Sequence, residues 1–176
     1  MTNIEVIRKP IFDPGTYFQN FFNLRLSQGL LEENKSLIEK ISTWIRGNIF
    51  IPDSKIFWVN SSVNFLKKFL VNKKINLVIT TGPPHSMHLI GLKLKRDLNI
   101  KWISDFRDPM SNWDVINDFK PLKSSIKKHK SIEKSILKNS DIVLVTNSNL
   151  AKEFSNEVNG NKIKVINNGT DFSFSR

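Results

Sequence analysis

The sequence predicts an α/β protein built on a parallel sheet, and three observations carry that reading. Leu77-Val78-Ile79-Thr80 is a short, β-favouring apolar run, stopped by Gly82-Pro83-Pro84. Met87, Ile90, Leu94 and Leu98 then recur at helical spacing, and a second β-like run, Lys101-Trp102-Ile103-Ser104, follows. The alternation repeats downstream, where Ile142–Thr146 and Ile163–Ile166 flank a short helical stretch near 149–157. Strands separated by single helices normally pair in parallel through right-handed crossovers. The four runs should therefore be neighbours in one sheet, with ligands sought at the carboxyl ends of its strands.

Taken in order, Ile4–Ile7 is a β-like run before Pro10, Asp13-Pro14-Gly15 a turn, and Tyr17, Phe18, Phe21 and Phe22 an aromatic cluster with no assigned structure. Ser36-x-x-Glu39 reads as a capping box heading a helix. That helix carries Leu37, Ile38, Ile41, Trp44 and Ile45 on one face, with Gly47 available as its stop. Ile49–Asp53 is a connector, after which Ser61 or Ser62 can cap a helix bearing Val63, Leu66, Phe69 and Leu70. Ser86 is placed as the cap of the helix ending at Leu98, whose Lys93, Lys95 and Arg96 suit the negative end of the helix dipole. Ser124–Asn139 forms a basic helix with Lys127, Lys128, Lys130, Lys134 and Lys138, and Glu133 its sole acid. Ile126, Ile132, Ile136 and Leu137 supply its apolar side. Its lysines either dock on anionic lipid headgroups or form an ordinary solvated face.

A chain of 176 residues suits one domain with a proper core. Its 27 basic against 16 acidic residues give a formal charge of +11. Of the basic residues 21 are Lys and six Arg, which weakens a nucleic-acid reading, because Arg is the better bidentate phosphate and base ligand. An anionic membrane surface or phosphate-bearing substrate ranks ahead of it. No apolar run approaches the roughly 18 residues a bilayer span needs, and MTNIEVIRKP lacks a signal-peptide pattern. The absence of cysteine excludes disulfides and thiolate metal sites and fits the cytoplasm.

Chemistry is expected at the strand ends. His85 follows the Gly82-Pro83-Pro84 turn at a helix N-terminus, where unpaired N–H groups suit a phosphate or sugar oxygen; otherwise it is a loop residue that caps the helix. Asp105, Arg107 and Asp108 set two carboxylates around one guanidinium. Arg107 could hold a phosphate or acceptor while a carboxylate accepts a sugar hydroxyl, or the three could be an internal ion pair shaping the loop. His85 and His88 with Asp105 do not make a convincing metal set, so neither metal nor cofactor is expected. Asn168-Gly169-Thr170-Asp171 is a turn after a strand, of a kind common in any protein.

These residues carry a resemblance. TTGPPHSMHLIGLKLKRDLNIKWISDFRDP resembles the middle of the N-terminal, Rossmann-like domain of family 4 glycosyltransferases, of the GT-B fold group. The likeness continues through KHKSIEKSILKNSDIVLVTNSNLAKEF and KVINNGTD, includes IPDSKIFW upstream, and covers roughly residues 50 to 172. Met110 departs from the aromatic that often follows the Asp-Pro, and Thr170 from the usual larger residue. The resemblance implies transfer of a sugar from a nucleotide-activated donor to a saccharide or lipid-linked acceptor, in cell-surface polysaccharide or glycolipid synthesis. Retention of anomeric configuration is part of that implication. The candidate binding residues would be His85, Asp105, Arg107, Asp108, Asn168, Gly169 and Asp171, with the loop formed by Gly82, Pro83 and Pro84. Most donor contacts would come from a second domain. No strand–Gly–Gly–helix unit occurs in residues 1–76, where Gly15, Gly29 and Gly47 stand apart. Residues 1–176 are therefore expected to be a single, partial domain, inactive alone and prone to associate through the strand beginning at Leu77 unless Ile4–Ile7 substitutes. The rival readings are a non-catalytic nucleotide- or phosphate-binding remnant and, last, a basic nucleic-acid-binding protein.

Overall fold

The computed structural model describes residues 4–10, 35–112 and 119–169. The aromatic cluster at Tyr17–Phe22, the turn at Asp13–Gly15, and Thr170 and Asp171 lie outside them. The elements are α1 (Lys35–Asn48), α2 (Trp58–Asn72), β1 (Leu77–Gly82), α3 (Ser86–Leu98), β2 (Lys101–Phe106), α4 (Lys123–Asn139), β3 (Ile142–Val145), α5 (Ser148–Ser155) and β4 (Ile163–Val165). Single 3-10 turns at Ser54–Phe57 and Gly160–Lys162 precede α2 and β4.

The sheet has the order β1-β2-β3-β4, and every pair is parallel. Thr80 sits opposite Ser104, Ser104 opposite Val143, and Val143 opposite Ile163. This is the α/β, Rossmann-like arrangement that the strand–helix alternation predicts. Each crossover steps the same way along the sheet, so right-handed connections place α3, α4 and α5 on one face. Strand alternation then sorts the residues. Trp102, Phe106, Val143 and Val145 point into the helix layer and meet Leu92, Ile136, Leu137, Leu150 and Phe154. On the other face Ile79 remains 58% exposed, and Ile103, Asp105, Ile142 and Leu144 are half-buried.

α2 packs outside α3 through Val59, Val63 and Leu70 against Ile90 and Leu94. Covered by the sheet on one side and α2 on the other, α3 buries Ser86, His88, Gly91 and Leu92 as well as Ile90 and Leu94. A single apolar stripe underestimates such a helix. Gly91 is required by this double packing: a Cβ there would lie 2.8 Å from Trp102 Cζ2 and closer still to its Nε1.

Three boundaries differ from the sequence reading. α2 starts at Trp58, not at Ser61 or Ser62, because Asp53 accepts from Lys55 N–H (2.9 Å) and starts the chain turning one turn earlier. Ser86 is the first residue inside α3, and His85 occupies the cap position without a side-chain cap bond. α1 runs through Gly47, its expected stop, to Asn48, and leaves Ile41 and Trp44 exposed. It is held by its C-terminal end: Asn48 Oδ1 accepts from Leu122 N–H (2.7 Å) and Ser125 Oγ (2.9 Å), and Gly47 abuts Phe119.

Candidate functional site

The carboxyl ends of the strands converge on Arg107. Its backbone N–H donates to Gly82 O at the end of β1 (3.0 Å), and its carbonyl accepts from Thr146 Oγ1 just after β3 (3.1 Å). Its guanidinium reaches Asn168 Oδ1 in the segment beyond β4. One residue at the end of β2 thus ties together the ends of the other three strands. The guanidinium is exposed, and Asn168 is its sole hydrogen-bond partner among the described residues. Asp105 and Asp108, both half-buried, form no ion pair with it, so the internal ion-pair alternative is not the arrangement found. Asn168 and Gly169 are exposed on the same edge, and Pro83 and Pro84 are exposed in the β1–α3 loop.

His85 and the N-terminus of α3 behave differently from the phosphate-cradle expectation. Asp53, from the loop before α2, sets its carboxylate against that helix end. Ser86 N–H donates to Asp53 Oδ2 (2.8 Å) and Ser86 Oγ to Oδ1 (2.7 Å). Met87 N–H and His88 N–H are taken by Pro84 O (3.1 Å) and His85 O (3.0 Å). The positive end of the helix dipole is therefore already neutralised by a carboxylate of the chain itself. His85 is buried, its ring 5.9 Å from that of Phe106 and 5.8 Å from that of His88. Its ring nitrogens make no well-aligned hydrogen bond, the Pro109 backbone being only a weak partner. Burial pushes its pKa down, opposed by the nearby carboxylates of Asp53 and Asp108.

His88 belongs to the core, fully buried with its ring stacked 4.4 Å from Phe106. Trp102 Nε1–H donates to Thr80 Oγ1 (2.9 Å), and Thr80 Oγ1 lies 2.9 Å from His88 Nδ1. Indole nitrogen only donates. Thr80 therefore accepts from Trp102 and, with a proton and a second lone pair left, can pair with either tautomer of neutral His88 at Nδ1, while Nε2 is buried without a partner. Burial, reinforced by His85, lowers its pKa to about 3. Gly82 makes room for both rings, since a Cβ there would sit 2.7 Å from His88 Nε2 and 3.0 Å from His85 Nδ1. His129, on α4, is likewise buried with its pKa lowered, first by burial.

Two acids not singled out by residue type or spacing, Asp53 and Glu133, shape the rim, and a third, Asp141, lies at the opposite edge, where the strands begin. Besides Asp53, Glu133 accepts from Met110 N–H and Ser111 N–H (2.9 Å each) and from Ser111 Oγ, pinning the segment after Asp108. Its pKa is raised by burial, against the pull of those donors. Met110 is itself buried in the main core, which accounts for an apolar residue at that position. Asp141 accepts from Trp102 N–H (2.7 Å) and Lys95 Nζ (2.8 Å). Burial works to raise its pKa, but these partners and Lys101 outweigh it and the pKa is lowered. A local signal existed only for Asp53, an Asp just before a helix start. Among the described residues no group of three or more His, Asp or Glu side chains could hold a metal ion.

The fold and site together define a Rossmann-like α/β protein with a polar strand-end edge organised by one arginine. No family model matches the chain, and no curated protein matches it.

Proposed function

We propose that this chain is the acceptor-side domain of a glycosyltransferase that moves a sugar from a nucleotide-activated donor to a saccharide or lipid-linked acceptor. The observation that carries the reading is the position of Arg107, exposed and joined by hydrogen bonds to the ends of β1, β3 and β4. Ligands of open parallel sheets bind there, and a guanidinium without a carboxylate partner among the described residues suits an anionic or hydroxyl-rich group. The resemblance of the Gly-Pro-Pro-His-Ser and Asp-Phe-Arg-Asp-Pro segments to family 4 enzymes supports the reaction class. Asp105 and Asp108 are the acceptors for sugar hydroxyls, and the donor diphosphate is held by a second domain.

Among the described residues no helix is long and apolar enough to cross a membrane. In this reading the domain works at the cytoplasmic face of the membrane, with the lysines of α4 turned toward anionic headgroups. The phosphate-binding remnant is the weaker reading, because Asp53 fills the helix N-terminus that would have seated the phosphate.

Amide NMR titration of the purified chain tests the proposal, using lipid-linked saccharides, free oligosaccharides, nucleoside diphosphates and an oligonucleotide. Shifts from a saccharide acceptor should cluster at Gly82, His85, 105–108 and 167–169 and disappear in Arg107→Ala. Shifts confined to the lysines of α4, produced by any polyanion and abolished by salt, would refute it.

A further inference from the structure

β1 leaves one edge open. Lys101 N–H donates to Asn76 O (2.8 Å) and Arg107 N–H to Gly82 O (3.0 Å), so the even-numbered backbone groups from 76 to 82 face β2. Backbone groups of successive residues in a parallel strand alternate in direction. Those of Leu77, Ile79 and Thr81 therefore face outward, and among the described residues nothing pairs with them. Beside this edge runs a groove of about 260 Å³, floored by Val78, Ile79 and Thr80 and walled by Phe65 and Leu66.

The outer lip of that groove is formed by Ile7 and Lys9 of the segment 4–10, which makes no backbone hydrogen bond to β1 as it stands but alternates its contacts as a strand would. Glu5 meets Lys73 (3.6 Å), Lys9 Nζ stands 5.2 Å from the Phe65 ring, and Ile7 and Lys9 line the groove. Ile4 and Val6, between them, are 82% and 71% exposed. Contacts thus alternate with period two, as in a strand. Direction follows from lengths. Four extended residues from Glu5 to Lys9 cover about 13 Å, and eight helical residues from Lys73 back to Phe65 cover about 12 Å. The segment runs antiparallel to α2, and so does β1, which returns along α2 after a short turn. Segment and β1 point the same way. Ile4 and Val6 then fall on the uncovered face of the sheet, level with exposed Leu77 and Ile79.

We propose that Ile4–Lys9 is a fifth strand that adds in parallel to the open edge of β1 and guards that edge against pairing with a second copy of the chain. An open strand edge flanked by exposed apolar residues is a template for association. A short strap that closes over it and opens again removes the template without enlarging the core. The inference is independent of the proposed function, since it concerns the opposite end of the strand order from β4 and none of the residues at Arg107.

Residue-resolved amide exchange by NMR tests it, on the wild type and on Val6→Pro and Ile7→Pro. Because pairing groups alternate, one of the two prolines must remove a pairing N–H. Both positions are exposed, so neither change threatens the core. In the wild type, Ile79 and Thr81 amides should exchange well below their unprotected rates. At least one proline variant should speed them tenfold or more, leave Val78 and Thr80 unchanged, and sediment as a concentration-dependent dimer. Val6→Ile should behave as wild type. The proposal is overturned if Ile79 and Thr81 are unprotected in the wild type, if neither proline changes their exchange, or if the deprotected variant stays monomeric.

Discussion

Acid should weaken this protein chiefly through His88. In the unfolded chain its imidazole titrates near the ordinary value of 6.5, whereas the folded pKa is about 3. Between those values the unfolded state binds a proton that the native state refuses, so stability falls as pH drops through 6.5 toward 3. From pH 7 to pH 5 the loss from this one group is about 2 kcal/mol, taking 1.36 kcal/mol per pKa unit. His85 and His129 are shifted the same way and add to the slope. Glu133 opposes them: its raised pKa favours folding at low pH, and that contribution is lost as pH rises above its unfolded value of 4.5. With a urea m-value of about 2 kcal/mol/M, His88 alone should move the midpoint by about 1 M. The assay is urea denaturation at pH 7, 6 and 5 on the wild type and His88→Asn, whose side-chain amide can still pair with the Thr80 hydroxyl as donor or acceptor. The variant starts less stable, because a buried ring has been trimmed, but should lose about 2 kcal/mol less over the same range. Equal slopes in the two proteins would show that His88 is not the proton-refusing group.

Other consequences follow from single contacts. Gly91→Ala drives a methyl group into the Trp102 indole and should cost about 1–3 kcal/mol, seen as a lowered urea midpoint. Asp53→Ala removes the acceptor of Ser86 N–H, Ser86 Oγ and Lys55 N–H and should cost about 1–2 kcal/mol in thermal unfolding. Glu133→Ala strips two backbone N–H groups of their acceptor and should cost about 1–3 kcal/mol, with faster amide exchange at Met110 and Ser111. Arg107→Ala, by contrast, should stay within about 0.5 kcal/mol of wild type while losing ligand-induced shifts at 167–169.

The sheet was legible because each strand is a compact β-favouring run closed by a turn. All four were placed within two residues of their observed ends. What escaped sequence reasoning was long-range. Ser61 or Ser62 looked like the start of α2, yet Asp53 sets it earlier and then reaches across 33 residues to Ser86. Glu133 read as the lone acid of a solvated basic helix, but is buried on the loop that follows Asp108. The apolar face of α1 had the right spacing and still lies open at Ile41 and Trp44, because periodicity names a face without naming what covers it. At the site, order along the chain foretold that the ends of β2 and β4 would share an edge. That Arg107 would bond to Asn168 while its neighbouring carboxylates stand apart is a matter of side-chain direction, which spacing does not encode.

Asp53, Glu133 and Asp141 also bear on how the molecule responds to its solvent. Each spends its negative charge on backbone N–H groups, hydroxyls or a half-covered lysine. Those carboxylates are thereby withdrawn from offsetting the basic excess of +11, although Lys67, Lys73 and Lys134 keep acidic partners at the surface. Added salt screens the repulsion within that excess over about 10 Å at 0.1 M but hardly reaches partly enclosed pairs. Sodium chloride should therefore tighten this fold on balance, the relief of net positive repulsion outweighing the loss from its few exposed ion pairs.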